Sequence, residues 1–225
     1  MSDNLDLFRS AGEGDSPAGP ARPIEFAPGA WHLPGGARRM AAEFWNDLQT
    51  IWQAAPPRHM QTPRGGVMSV AISNCGDWGW VADRRGYRYA ATNPETGRAW
   101  PAMPARWREF AAQAAALAGY ADFAPDACLI NRYTPGTKMG LHQDRDERDF
   151  AQPIVSVSLG QGVPFQFGGA ERGDPTQRVQ LSHGDVLVWG GATRLNYHGV
   201  LTLRKQPPHP AIGEIRVNLT FRCAC

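Results

Sequence analysis

The chain has 225 residues, a formal net charge of +2, 42% hydrophobic residues and eight Trp. That length suits one domain of ordinary size with a sizeable core, and the overall charge by itself points to no class of partner. No run of ~18 apolar residues could cross a membrane as a helix, and the four Cys (Cys75, Cys128, Cys223, Cys225) lack the spacing of a zinc finger or a secreted disulfide framework.

Residues 1 to about 20 are rich in Gly, Ser, Pro, Asp and Ala and are expected to be frayed. They hold no apolar signal core, so a soluble, cytoplasmic protein is expected. Arg38–Gln53 sets Met40, Phe44, Leu48, Ile51 and Trp52 at helical spacing, which predicts a helix packed on one face and ended by Pro56-Pro57. Met68–Asn74 alternates as a strand does. Asp77–Asn93 predicts a hairpin turning near Arg84-Arg85-Gly86. Pro104–Gly119 predicts a second helix with Trp107, Phe110, Ala114 and Leu117 on one face. Cys75 and Cys128 sit in apolar surroundings and read as small core residues, whereas Cys223 and Cys225 read as incidental.

From Asp126 the pattern changes to short β-like runs: Ala127–Tyr133, Ile154–Gly160, Val163–Gly168, Arg178–Leu181, Asp185–Gly190, Asn196–Leu201 and Glu214–Arg222. Gly, Pro and Asp turns separate them, the pattern of an antiparallel sandwich or barrel. The expected layout is a frayed 1–20, an N-terminal α/β extension over 21–122, and a β core over 123–225. With no long linker between the last two, they should form one integrated catalytic domain.

His142-Gln143-Asp144, with His198 following 54 residues after the aspartate, supplies two imidazoles and a carboxylate. Such a facial set suits iron(II) and leaves coordination positions open for a co-substrate and oxygen. His-x-Asp alone is common. Its two side chains share one face if the segment is extended, while the third ligand arrives from a distant strand.

Arg216–Arg222 strengthens this reading. Arg216, Asn218, Thr220 and Arg222 share one strand face, and Val217, Leu219 and Phe221 share the other. A polar face turned inward is costly unless it meets charged or hydrogen-bonding partners. Two guanidiniums on such a face suit a dicarboxylic acid held at both ends; the alternative is an edge strand with a solvated polar face. Asn131 and Tyr133, two apart, could hydrogen-bond the same acid or simply satisfy buried backbone.

Between Arg58 and Arg108, eight Arg stand against Asp77, Asp83 and Glu95, a local excess of +5 interleaved with Trp78, Trp80, Tyr87 and Tyr89. That composition can serve phosphate contact and base stacking, or be a solvated Arg-rich surface.

Pro125–Tyr133, Leu141–Glu147, Pro153–Gly160, Phe165–Gly169, His183–Gly191 and Arg216–Arg222 resemble the AlkB family, with similarity running from about Arg58 to Arg222. The resemblance implies a double-stranded β-helix (jelly-roll) dioxygenase core under an N-terminal α/β nucleotide-recognition lid, in a monomeric enzyme. It implies iron(II) held by His142, Asp144 and His198, and 2-oxoglutarate held by Asn131, Tyr133, Arg216, Asn218 and Arg222. Alkylated single- or double-stranded DNA would be the substrate, with RNA a further candidate, repaired by oxidative demethylation of bases such as 1-methyladenine and 3-methylcytosine.

On the same resemblance Trp80 would stack on a flipped base, with the His142 ring on its other face. Tyr87 and the backbone around Arg88 and Tyr89 would hold a phosphate. Asp146 would lie near the base's exocyclic nitrogen, Arg172 near the strand, and Ser156 along the pocket. The N-terminal fifty residues match only loosely, through a Leu-Asp-Leu-Phe start, and the chain departs from the family pattern at Thr62–Val67, at Met139 and in a one-residue length change before Arg216. The rival readings are an oxygenase of the same fold acting on a protein or small molecule, and a zinc-holding nucleic-acid-binding module.

Overall fold

In this computed structural model the described residues are 22–225, so the expectation for residues 1–20 lies outside them. The polar-and-apolar strand anticipated near the C-terminus is β14 (Arg216–Arg222), and all seven of its residues are buried. It lies inside the sheet, which excludes the solvated-edge alternative. On one side it pairs with β7 (Ala127–Tyr133), on the other with β9 (Ile154–Gly160), both antiparallel. Beyond β9 come β12 (Val186–Trp189), β2 (Ala30–Leu33) and β1 (Ile24–Ala27); beyond β7 come β4 (Val67–Gly76) and β3 (Arg58–Gln61). This eight-stranded sheet crosses the expected boundary near residue 122, so extension and core share one framework.

A second sheet of four strands faces it, in the order β11 (Gln177–Leu181), β10 (Val163–Phe167), β13 (His198–Val200), β8 (Met139–His142). The two sheets form the jelly-roll. A separate hairpin, β5 (Gly79–Asp83) and β6 (Gly86–Ala90), turns through Arg84-Arg85, with Asp83 opposite Gly86. Gly86 has φ 118°, a conformation open to glycine at little cost.

Two helices cover the outer face of the large sheet. They are α1 (Ala41–Ala54), preceded by a 3₁₀ turn at Arg38–Met40, and α2 (Ala105–Leu117). Phe44, Leu48, Trp107 and Phe110 pack there on Val157, Val217, Leu219 and Phe221. Trp107 meets Phe44 and Phe221 edge-on, at centroid distances of 5.2 and 6.1 Å. Leu117, expected on the buried face of α2, is 37% exposed. The buried stripe runs through Ala114, Ala115 and Ala118, and each residue turns the helix by about 100°.

Because helices cover one face of the sheet and the second sheet the other, β9 and β12 are buried throughout, β12 as an unbroken apolar run and β9 with Ser156 and Ser158 hydrogen-bonded to Asn218 and Arg216. Ile154, Leu187, Trp189, Phe165 and Phe167 fill the space between the sheets. β1, β2 and β3 were not anticipated. Pro28-Gly29, with Gly29 at φ 72°, is the turn signal that marks the first pair.

On the rim opposite the hairpin, the Gly160 N–H donates to Nδ1 of His183 at 3.0 Å, and the His183 ring stacks on His209 at 4.2 Å. Burial, the neighbouring His209 and Arg38 depress the His183 pKa to about 4. The unfolded chain takes up this proton near pH 6.5 and the folded chain only near 4. Stability from this group is therefore complete above about pH 6.5 and lost as pH falls toward 4. His183→Asn keeps an acceptor for Gly160 but does not titrate, so the decline of melting temperature from pH 7 to 4 should become shallower. An unchanged decline would remove His183 as a cause.

Candidate metal centre and its pocket

A cavity of about 360 Å³ opens between the sheets beneath the hairpin. His142, the last residue of β8, and His198, the first of β13, are direct partners across that strand pair. Asp144 lies beyond the end of β8, so the His-x-Asp segment is not one continuous strand as expected; the chain turns and still brings both side chains together. The Asp144 carboxylate stands 3.7 Å from Nε2 of His142 and 3.4 Å from Nε2 of His198. One ligand atom from each of the three residues lies within 4.8 Å of the others.

Nδ1 of His142 lies 2.8 Å from the Gly140 carbonyl, and Nδ1 of His198 3.0 Å from that of Asn196. A carbonyl only accepts, so each Nδ1 carries the proton and each Nε2 keeps its lone pair for a cation. Burial and the adjacent His198 lower the His142 pKa to about 4, which keeps the ring neutral. Burial opposes ionisation of Asp144, but Arg222 first, then the two histidines, hold its carboxyl well below the usual range. Two imidazoles turned by their Nδ1–carbonyl bonds and an ionised carboxylate fit a divalent iron.

Deeper in the cavity lies the polar face of β14. Arg216 donates to the Ser158 hydroxyl at 3.0 Å, yet its Nε and Nη1 are buried without a hydrogen-bond partner, and its guanidinium lies 4.9 Å from the Tyr133 ring centroid. Unsatisfied donors on a buried cation are costly and suit an anionic ligand. Asn218 donates to Ser156 at 2.7 Å and to the Val157 carbonyl at 3.1 Å, while its own Oδ1 accepts from Thr220. Asn131 donates weakly to Asn218 at 3.4 Å and leaves its Oδ1 unpaired. Arg222 is already engaged, donating to Asp144 at 2.7 Å and to the Tyr89 hydroxyl at 3.1 Å.

At the mouth, Trp80 on β5 donates from Nε1 to Asp146 at 2.7 Å, and Tyr87 on β6 stacks on its indole with centroids 5.4 Å apart and planes 12° apart. Tyr87 is 48% exposed. Arg172 caps the Tyr197 ring and donates to the Leu141 carbonyl. The Arg88 side chain makes a two-pronged pair with Asp83, and the Tyr89 side chain turns inward, so only their backbones face outward contacts.

Of the residues singled out in the sequence, Arg216, Arg88 and Tyr89 do not line the cavity, although Arg216 packs on the lining Tyr133 and Tyr89 bonds to the lining Arg222; the others line it. The basic excess is partly spent: Arg58, Arg88, Arg106 and Arg108 pair with Glu95, Asp83, Asp47 and Asp77. Arg64, Arg84, Arg85 and Arg98 are exposed. Two buried residues at the site went unassigned in the sequence reading. Arg194 donates to the Asp144 carbonyl at 2.7 Å and to Glu147 at 3.1 Å, and Glu147 also accepts from Tyr89. Arg194 follows a 3₁₀ turn and carries no local signal; Glu147 sits five residues after His142 in the motif itself.

Residues 32–222 match the 2OG-Fe(II) oxygenase superfamily. The alpha-ketoglutarate-dependent dioxygenase AlkB of Salmonella typhimurium is 51% identical over 220 residues, covering 98% of each chain, and that of Escherichia coli is 49% identical with the same coverage. The solved structure of OsALKBH1 superposes with a TM-score of 0.78 at 27% identity, over 89% of this chain and 99% of that one. No helix among the described residues is long and apolar enough to cross a membrane. The iron-compatible triad and the anion-hungry arginine thus lie in a chain with AlkB relatives along nearly its whole length. It is an iron(II)- and 2-oxoglutarate-dependent dioxygenase, and it belongs to the AlkB group of the 2OG-Fe(II) oxygenase superfamily.

Proposed function

We propose that the enzyme removes alkyl groups from nucleic-acid bases by oxidative demethylation, with 1-methyladenine and 3-methylcytosine in DNA as its substrates. The observation that carries this reading is the aromatic pair at the mouth of the metal cavity: Trp80, anchored by Asp146 and backed by Tyr87, stands over the triad. A flat partner is what such a platform accepts, and the negative face of the indole suits the positive charge that 1-methyladenine and 3-methylcytosine carry. When bound, iron would let dioxygen oxidise 2-oxoglutarate and the N-alkyl carbon together, one oxygen atom going to that carbon and the other to the succinate formed as carbon dioxide is lost. A hydroxymethylated base then falls apart to formaldehyde and the unmodified base.

The chain's own residues bind and orient. His142, Asp144 and His198 hold the iron, and Asn131, Tyr133, Arg216, Asn218 and Arg222 cradle 2-oxoglutarate. Arg216 meets the distal carboxylate with its two free donors. Trp80 and the His142 ring enclose the flipped base, Ser156 lines the pocket beneath it, and Asp146 lies where an exocyclic amine would donate. Tyr87, the backbone at Arg88 and Tyr89, and Arg172 guide the strand.

Unstacking a base costs roughly a few kcal/mol, less for a lesion that already pairs badly. Stacking on Trp80 returns about 1–3 kcal/mol. Alkylated bases are therefore favoured before any polar contact forms.

Asp144→Ala should abolish succinate production coupled to a methylated oligonucleotide; undiminished turnover would sink the metal assignment. Trp80→Ala should weaken repair of a 1-methyladenine oligonucleotide by roughly 5- to 150-fold, the equivalent of the lost stacking, while sparing part of the uncoupled 2-oxoglutarate turnover. Unchanged repair would remove the stacking role and favour a protein or small-molecule substrate. Arg216→Lys should raise the KM for 2-oxoglutarate about tenfold or more, since a charge-assisted hydrogen bond contributes about 1.5–3 kcal/mol. An unaltered KM would place the co-substrate elsewhere.

A further inference from the structure

One buried carboxylate at the centre has no place in the chemistry above. Glu147 is 6% exposed and does not line the cavity, so it touches neither iron nor substrate. Its Oε1 accepts from the Tyr89 hydroxyl at 2.7 Å and stands 3.4 Å from Nε of Arg222. Its Oε2 accepts from Nη2 of Arg194 at 3.1 Å. These donors come from the hairpin strand β6, from the central strand β14, and from the loop leading to β13.

We propose that Glu147 is a positioning residue: it fixes the Arg222–Asp144 pair and couples the hairpin to the metal centre. This rests on the assignment of the iron and 2-oxoglutarate residues given above. Charge balance is the first reason. Asp144 and Glu147 face Arg194 and Arg222, two anions against two cations, all buried. Without Glu147 one guanidinium charge is left uncompensated beside the place of a divalent cation, and a buried charge that loses its partner is strongly unfavourable.

Geometry is the second reason. The Arg222 guanidinium donates hydrogen bonds to Asp144 and Tyr89, and the Glu147 carboxylate faces its Nε at 3.4 Å as an ion pair without a hydrogen bond. Arg194 holds the segment at both ends, through the Asp144 carbonyl and the Glu147 carboxylate. Asp146, between them, accepts from Trp80. One short loop therefore carries a metal ligand and two side-chain contacts to the hairpin, beside the hairpin's bonds to Asn74, Met60 and Trp100, and so ties the orientation of Asp144 to the aromatic platform.

The test compares Glu147→Gln with the wild type in anaerobic titrations of iron(II) and 2-oxoglutarate, reading the visible charge-transfer band of the complex. Hydrogen exchange of the hairpin amides, 79–90, is followed in parallel. Partners that orient metal ligands typically matter by about 10- to 100-fold. Glu147→Gln should weaken iron affinity by that factor, shift the band, raise the KM for 2-oxoglutarate and speed hairpin exchange. A wild-type protein that forms no band overturns the site assignment and the proposal with it. A wild-type band kept unaltered in Glu147→Gln, at wild-type iron affinity, overturns the proposal alone. Should Glu147→Gln fail to fold, Glu147→Asp keeps the charge but draws the carboxylate back. It should give smaller changes of the same sign, and none at all overturns the proposal.

Discussion

The contact on which the rest of this structure depends is the 2.7 Å ion pair between Arg222 and Asp144. Both groups are buried, and either one without the other would be an uncompensated buried charge. Their attraction keeps Asp144 ionised against its own burial, which is the condition for it to hold a metal beside two histidines. Arg222 in turn is held in place only because β14 is central in the large sheet, with its apolar face locked under the two helices. The metal centre is thus an outcome of core packing. Phe221 and Leu219 anchor the strand from one side so that Arg222 can act on the other.

The same division of faces explains how a rigid cavity forms from ordinary strands. β9 turns Val155, Val157 and Leu159 to the helices and Ser156 and Ser158 to the cavity, where their hydroxyls accept from Asn218 and Arg216. The large sheet supplies polar groups for an acid, and the small sheet supplies the histidines, whose tautomers are set by neighbouring carbonyls. The hairpin lies outside both sheets. Its polar link to the site is the loop at 144–147, with Trp80 bonded to Asp146 and Tyr89 to Glu147. The hairpin and the metal centre therefore meet on four residues.

Much of this was legible in the residues because the chemistry follows local patterns. Alternation over Arg216–Arg222 separated the two faces of β14. The helices followed from periodicity, except that Leu117 was placed on the wrong side. His142 and Asp144 were found by spacing although β8 ends between them, since a turn can converge two side chains as well as a strand can. What stayed hidden depended on contacts distant in sequence. The pairing of Arg58, Arg106 and Arg108 with acids cannot be read from composition. Nor can the burial of Arg194, which is 2% exposed although it sits in a loop. Asp83 and Arg88 are close in sequence, but their pairing appears only once the hairpin register is known.

The central claim is that this cavity couples 2-oxoglutarate oxidation to removal of an alkyl group from a base. It is tested most directly by loading the wild-type enzyme anaerobically with iron(II) and 2-oxoglutarate, then admitting oxygen with a 1-methyladenine oligonucleotide. Formaldehyde and succinate should form in equal amounts as the unmodified base appears. Succinate without formaldehyde, on DNA and RNA oligonucleotides alike, would contradict the account.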